Sequence, residues 1–233
     1  MALGSTSGSA DPRKSNRDRI IDSFMALLAE RPFEEIGFGG IAAGAGLSLA
    51  DCRTEFGSVL GVLAAHVKAV DRQVLAGGEA DMAEEPPRER LFDVLMRRLE
   101  VLGPHKAAMG SLLRSATRNP GLALALNGLA VRSQQWMLTS ADIDAAGSRG
   151  MLRAQGLGLL FASVLRVWVD DDDPGLARTM AALDRGLGRG ARWVGLLDDL
   201  SRFKPRFCSS RDRHREADGR RAAEGAGDEP LVA

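Results

Sequence analysis

Tyrosine is absent from this sequence, and with only 8 Phe and 3 Trp the interior must be filled largely by Ala and Leu, a composition that favours helices. Cysteine is equally scarce. Cys52 and Cys208 lie far apart, without metal-ligand or disulfide-framework spacing, which fits a reducing cytosol and a cytoplasmic protein. The opening "MALGSTSGSADPRKSN" lacks the apolar centre of a secretory signal. No uninterrupted apolar run approaches the roughly 20 residues of a spanning helix, the best stretch being "GLLFASVL" before Arg166. Peripheral membrane contact is left open by this. Nor is there an excess charge of one sign to attract a polyanion, since 31 basic residues balance 31 acidic ones. Affinity for nucleic acid would have to come from local patches.

Signs of catalysis and of bound metal are lacking as well. His66, His105 and His214 are scattered, with no partner at ligand spacing and no nucleophile motif nearby. The run Asp170 to Asp173 is acidic enough for a hard cation, but four consecutive residues cannot all converge on one ion. Asp173 before Pro174 has a sufficient local task as a helix cap. No catalytic residue, metal or cofactor is expected.

What is present is helical periodicity. Residues 1–12 read as a disordered leader, and order is expected to begin near Asp11-Pro12, a cap followed by a first-turn proline. Ile20, Ile21, Phe24, Leu27 and Leu28 then recur at helical spacing until Pro32. A short helix fits residues 38–45, Gly44 and Gly46 permit a tight reversal, and Ser48 caps a third helix ending at Phe56. A longer helix follows over about 58–75. "GGEADMAEEPP" interrupts the pattern, so residues 13–75 form a head, 76–86 a linker and 87–200 a second helical domain. Its helices fit 87–102, 105–118, 121–139 and 149–169, and a last one begins at Asp173-Pro174. That helix carries a seam of Leu176, Met180, Leu183, Leu187, Gly190, Val194 and Leu197 suited to packing on another helix. Gly186, Gly188 and Gly190 weaken it unless a close neighbour needs their small size. Residues 201–233 lose periodicity and read as a flexible tail, with eight basic against three acidic residues between 202 and 221. The fold class is therefore all-α.

Three short helices with a glycine turn between the second and third form the minimal unit that inserts one helix into a major groove. In "GIAAGAGLSLADCRTEF", Ile41, Ala42, Ala45, Gly46, Leu47, Ser48 and Phe56, with Leu63 beyond, resemble the N-terminal signature of the tetracycline-repressor (TetR) family. The resemblance covers about residues 15–65. It implies a helical homodimer with a DNA-binding head and a C-terminal domain that binds small ligands and dimerises. The sequence departs from the pattern at three places: Gly37 stands where the family has Thr, Arg53 where it has a phosphate-contacting Tyr, and Val59 where it has Lys. The segment 87–190, with "RERLFDVLMRRLEVLGPHK" and "LRVWVDDDDPGLARTMAALDRGL", is similar to bacterial TetR-like proteins. More distantly it resembles the lipid-binding family that assists ubiquinone biosynthesis on the same fold.

The residues support two functions. One is a one-component transcriptional regulator whose operator DNA binding responds to a small lipophilic ligand. Arg53 and Thr54 would then contact the groove, Ser48 cap the reading helix, and Lys14 and Arg17 contact phosphates. The other is a lipid or isoprenoid carrier that keeps the scaffold without reading DNA. Asp51 and Glu55 weigh toward the carrier, because they make the third helix net negative against a polyanion. Trp136, Met137, Phe161 and Trp168 either line an apolar ligand pocket or form plain core.

Overall fold

The computed structural model describes residues 14–78 and 84–202. Among them the regular elements are all helical, in the order α1 (Asn16–Glu30), α2 (Phe38–Ala45), α3 (Leu49–Glu55), α4 (Val59–Ala76), α5 (Pro87–Leu102), α6 (Lys106–Arg118), α7 (Pro120–Ser140), α8 (Gly147–Val169) and α9 (Ala177–Arg202). Residues up to Ala191 form one compact unit; Arg192–Ala233 form a second, of which the helix as far as Arg202 is described. The expected leader, the middle of the linker and the tail beyond Arg202 lie outside the described residues.

Two helix starts differ from expectation, each for a local reason. Helix α1 is capped by Ser15, whose hydroxyl accepts from the Asp18 N–H at 3.2 Å; Asp11-Pro12 lie outside the described residues. Helix α9 begins at Ala177 instead of Pro174, because Leu176 has φ 50° and so leaves the right-handed region just before it. Asp173 still serves the start of the helix, accepting from the N–H groups of Gly175 and Ala177 at 3.1 and 3.2 Å. The buried Asp171 carboxylate accepts from Thr179 twice, from N–H at 2.9 Å and from the hydroxyl at 2.6 Å. The acidic run is thus part of the turn into α9, and no cluster of metal-ligating side chains occurs among the described residues.

The head is built around Ile20, Phe24 and Leu28 of α1, Ile41 of α2, Cys52 of α3 and Leu63 of α4, all in the core. Each such aliphatic or aromatic side chain contributes about 1.5–3 kcal/mol on burial. The head rests on α6, against which α1 packs. Ser111 of α6 donates to the Arg31 carbonyl at 2.9 Å, and Ser115 accepts from the Phe33 N–H at 3.1 Å, so α6 satisfies backbone groups just past the end of α1.

Farther along, α4, α5 and α7 meet around a buried polar set. Asp71 of α4 and Arg98 of α5 form an ion pair at 2.9 Å. Ser133 of α7 donates to Asp71 at 2.7 Å and accepts from Arg98, and Phe161 of α8 lies 5.2 Å from the guanidinium carbon. Helix α8 is long and apolar enough to cross a membrane by length and composition, but Leu157, Phe161, Val164 and Trp168 place one side of it in the core. In α9, Leu183 and Leu187 point into the core, and a side chain at Gly186 would meet Leu160 at 3.0 Å. Of the three glycines it is the one with a close neighbour.

His66 of α4 and His105, in the 3-10 turn Gly103–His105 before α6, stack edge to face with ring centroids 4.8 Å apart. Burial, aided by His105 and Arg98 and opposed by Asp22, holds the His66 imidazole down at about 4. Burial lowers His105 too. Between the ordinary value of 6.5 and about 4 the unfolded chain takes up a proton that the folded chain refuses. Stability is therefore whole above about pH 6.5 and falls as the pH drops toward 4. The loss through His66 is about 3 kcal/mol by the bottom of that window. Urea denaturation from pH 7 to 4.5 is expected to show a steeper loss in the wild type than in His66→Leu; equal slopes would remove the histidine from the account.

Candidate nucleic-acid interface

The turn between α2 and α3 is fixed by backbone chemistry. Gly46 ends α2 at φ 63°, a left-handed geometry that a side chain would strain. Its N–H and that of Leu47 return to the Ala43 and Ala42 carbonyls at 3.2 and 3.0 Å. Arg19 of α1 reaches over and donates to the Ala45 and Gly46 carbonyls at 2.7 and 3.1 Å. Gly37 caps α2 without a side-chain bond. Val59, at the first position of α4, is half-buried against the core and so is a packing residue.

Helix α3 opens with a reciprocal capping box. The Ser48 hydroxyl accepts from the Asp51 N–H at 3.1 Å, while the Asp51 carboxylate accepts from the Ser48 N–H at 3.0 Å and from its hydroxyl at 2.6 Å. These bonds from Ser48 hold the Asp51 carboxyl below its ordinary value. The other acid, Glu55, faces Arg17 of α1 at 3.7 Å, and that guanidinium also lies 4.6 Å from the Phe56 ring centre. Both carboxylates that argue against DNA in the sequence thus have partners within the chain, at its surface.

Helical geometry shows why. At about 100° per residue, Leu49, Ala50, Arg53 and Thr54 fall within an arc of about 140°, while Asp51, Cys52 and Glu55 fall on the opposite arc. Cys52 is buried, Asp51 and Glu55 are half-buried, and the other four are exposed. Burial, with Asp51 adding to it, pushes the Cys52 thiol up, which makes it a packing group. The outward surface of α3 therefore carries one cation and no carboxylate.

The residues named from sequence occupy different situations. Arg53 is exposed on the outward arc; Thr54 is beside it, with its hydroxyl donating to the Ala50 carbonyl at 3.0 Å. Lys14 is held by Asp22 at 2.6 Å, and Arg17 by Glu55. Leu49 went unnamed and is 59% exposed. The signal was available: one step after the Ser48 cap, it shares an arc with Ala50, Arg53 and Thr54. On α7 and α8, Met137, Phe161 and Trp168 are core residues, whereas Trp136 is 61% exposed. Trp136 edges a surface depression with Gln135, Thr139, Asp142, Ile143, Asp144, Ala145 and Ala146, which none of the other three lines.

Replacing Ser48 by Ala removes the hydroxyl half of the capping box and is expected to cost about 1 kcal/mol, read from chemical denaturation. An unchanged midpoint would show that α3 is held by packing alone.

No protein-family model matches the chain, and no curated protein sequence matches it. Solved structures do. A TetR transcriptional regulator from Nitrosomonas europaea aligns with a TM-score of 0.60 at 20% identity, over 76% of this chain and 99% of that one. Another, from Rhodococcus sp. RHA1, aligns with a TM-score of 0.54 at 18% identity, over 75% of this chain and 95% of that one. Helix order, the glycine turn and these alignments together establish that the chain has the all-helical fold of TetR transcriptional regulators.

Proposed function

We propose that the protein is a one-component transcriptional regulator: residues 13–75 are a DNA-reading head and residues 87–200 a ligand-binding and dimerising domain. The observation that carries this reading is the outward arc of α3, which presents Arg53 and no carboxylate. An Arg there can take guanine O6 and N7 in a bidentate fork or a phosphate. The carrier alternative, which also has the distant resemblance of residues 87–190 to a lipid-binding family, loses part of its charge argument, because Asp51 and Glu55 face Ser48 and Arg17. The fold shared with TetR regulators agrees with the same function.

Dimerisation through the last two long helices is supported by an exposed stripe on α8. Leu152, Gly156, Leu159 and Ser163 recur in steps of four and three, and Leu159 is 62% exposed. A two-fold pair would set two heads toward half-sites about one helical turn apart. Ligand response is supported by polar atoms buried without protein partners on α5 and α7, the Arg98 Nε, whose guanidinium carbon lies 5.2 Å from the Phe161 ring centre, and the Gln134 Oε1. A lipophilic molecule with a polar end would satisfy such atoms and shift the population of head spacings.

Fluorescence anisotropy of the full chain on duplex from its own promoter, against scrambled competitor, tests the regulator. Specific binding is expected to fall at least tenfold in Arg53→Glu with the melting temperature unchanged; no preference over the scrambled duplex would reject the reading. Sedimentation equilibrium tests the pairing. Leu159→Asp is expected to shift a dimer to monomer, and a wild type that sediments as a monomer would contradict the α8 assignment.

A further inference from the structure

The outward arc of α3 begins apolar and turns cationic half a helix later. Leu49 opens it, Ala50 follows, and one turn on come Arg53 and Thr54. A single exposed leucine is ordinary on a protein surface. This one stands on the same arc as the only exposed cation of α3, on the helix that the turn at Gly46 presents.

The donors and acceptors on this arc restrict which base edges it suits. Cytosine and adenine present amino donors in the major groove and call for an acceptor. Asp51, the acceptor nearest in sequence, is tied into the Ser48 capping box, and Glu55 is turned to Arg17. The Thr54 hydroxyl hydrogen is engaged by the Ala50 carbonyl, which leaves the arc only the hydroxyl lone pairs as acceptors. Guanine offers O6 and N7 to the Arg53 fork, and thymine alone of the four bases offers a methyl group to an apolar side chain. We propose that the head reads its half-site through thymine methyl groups packed on Leu49 and Ala50, beside a guanine held by Arg53. This rests on the DNA-reading function above and names its base preference.

The test uses the full-length chain and a randomised duplex pool. Selected sequences are expected to carry thymine adjacent to a guanine. In the selected duplex each thymine is then replaced singly by deoxyuridine, which removes only the 5-methyl. One or two positions beside the guanine are expected to lose about fourfold in affinity, the value of one buried methyl-sized group, and thymines elsewhere to lose nothing. Leu49→Ala, at an exposed position that leaves folding intact by circular dichroism, is expected to reduce the sensitivity at the thymine packed on Leu49 and to leave any at Ala50, while the guanine preference remains. A selected site without thymine there overturns the proposal and leaves the regulator standing. So does uniform affinity across the deoxyuridine series, or a Leu49→Ala series that matches the wild type at every sensitive position. A chain that enriches no sequence overturns both.

Discussion

The arrangement depends on α4, a helix that lies along one continuous core from α1 to α7. Its first half supplies Val62 and Leu63 to the head, while its last turns supply Asp71 and Val74 to the interior shared with α5 and α7. The Asp71–Arg98 pair, with Ser133 between them, fixes where that helix ends. A buried ion pair of this kind adds little net stability, because desolvation offsets the attraction. What it imposes is register: neither charge tolerates losing the other, so α4 cannot slide along α5 without stranding one of them. With α6 satisfying the backbone at the end of α1, the head is joined to the rest by two contacts that are polar and directional.

Most of the fold was legible because the apolar periodicity is strong and the breaks between helices are chemical. Pro32, Gly46, the paired prolines before α5 and Asn119-Pro120 each end or start a helix where the structure does. The start of α9 was misread for a reason periodicity cannot carry: Leu176 at φ 50° is imposed by the buried Asp171 and by Asp173, which hold the turn by their carboxylates.

The site was harder. Counting charges made α3 an acidic helix, yet charge is spread around a helix, and a seven-residue helix shows each surface only about half of its residues. The capping box could have been read from Ser48 and Asp51 alone, since an acid three residues after a serine cap has a local partner. The Arg17–Glu55 pair could not, because it joins α1 to α3 and exists only once the head has folded. For the second domain, aromatic type did not separate pocket from core: Trp168 and Phe161 pack inward while Trp136, on α7, stays outside.

The internal pairing of the head's cations has a further consequence. Lys14 is held by Asp22 and Arg17 by Glu55. A cation already matched by a carboxylate displaces few condensed ions when a phosphate approaches, and it must give up its partner to do so. For a duplex-binding head, the slope of log affinity against log salt scales with the number of phosphates neutralised, about −0.9 for each. If the proposed function holds, a head with Lys14 and Arg17 paired in this way would have a shallower slope than one in which both were unpaired. Its binding would then rest more on the outward arc of α3 than on these two flanking cations.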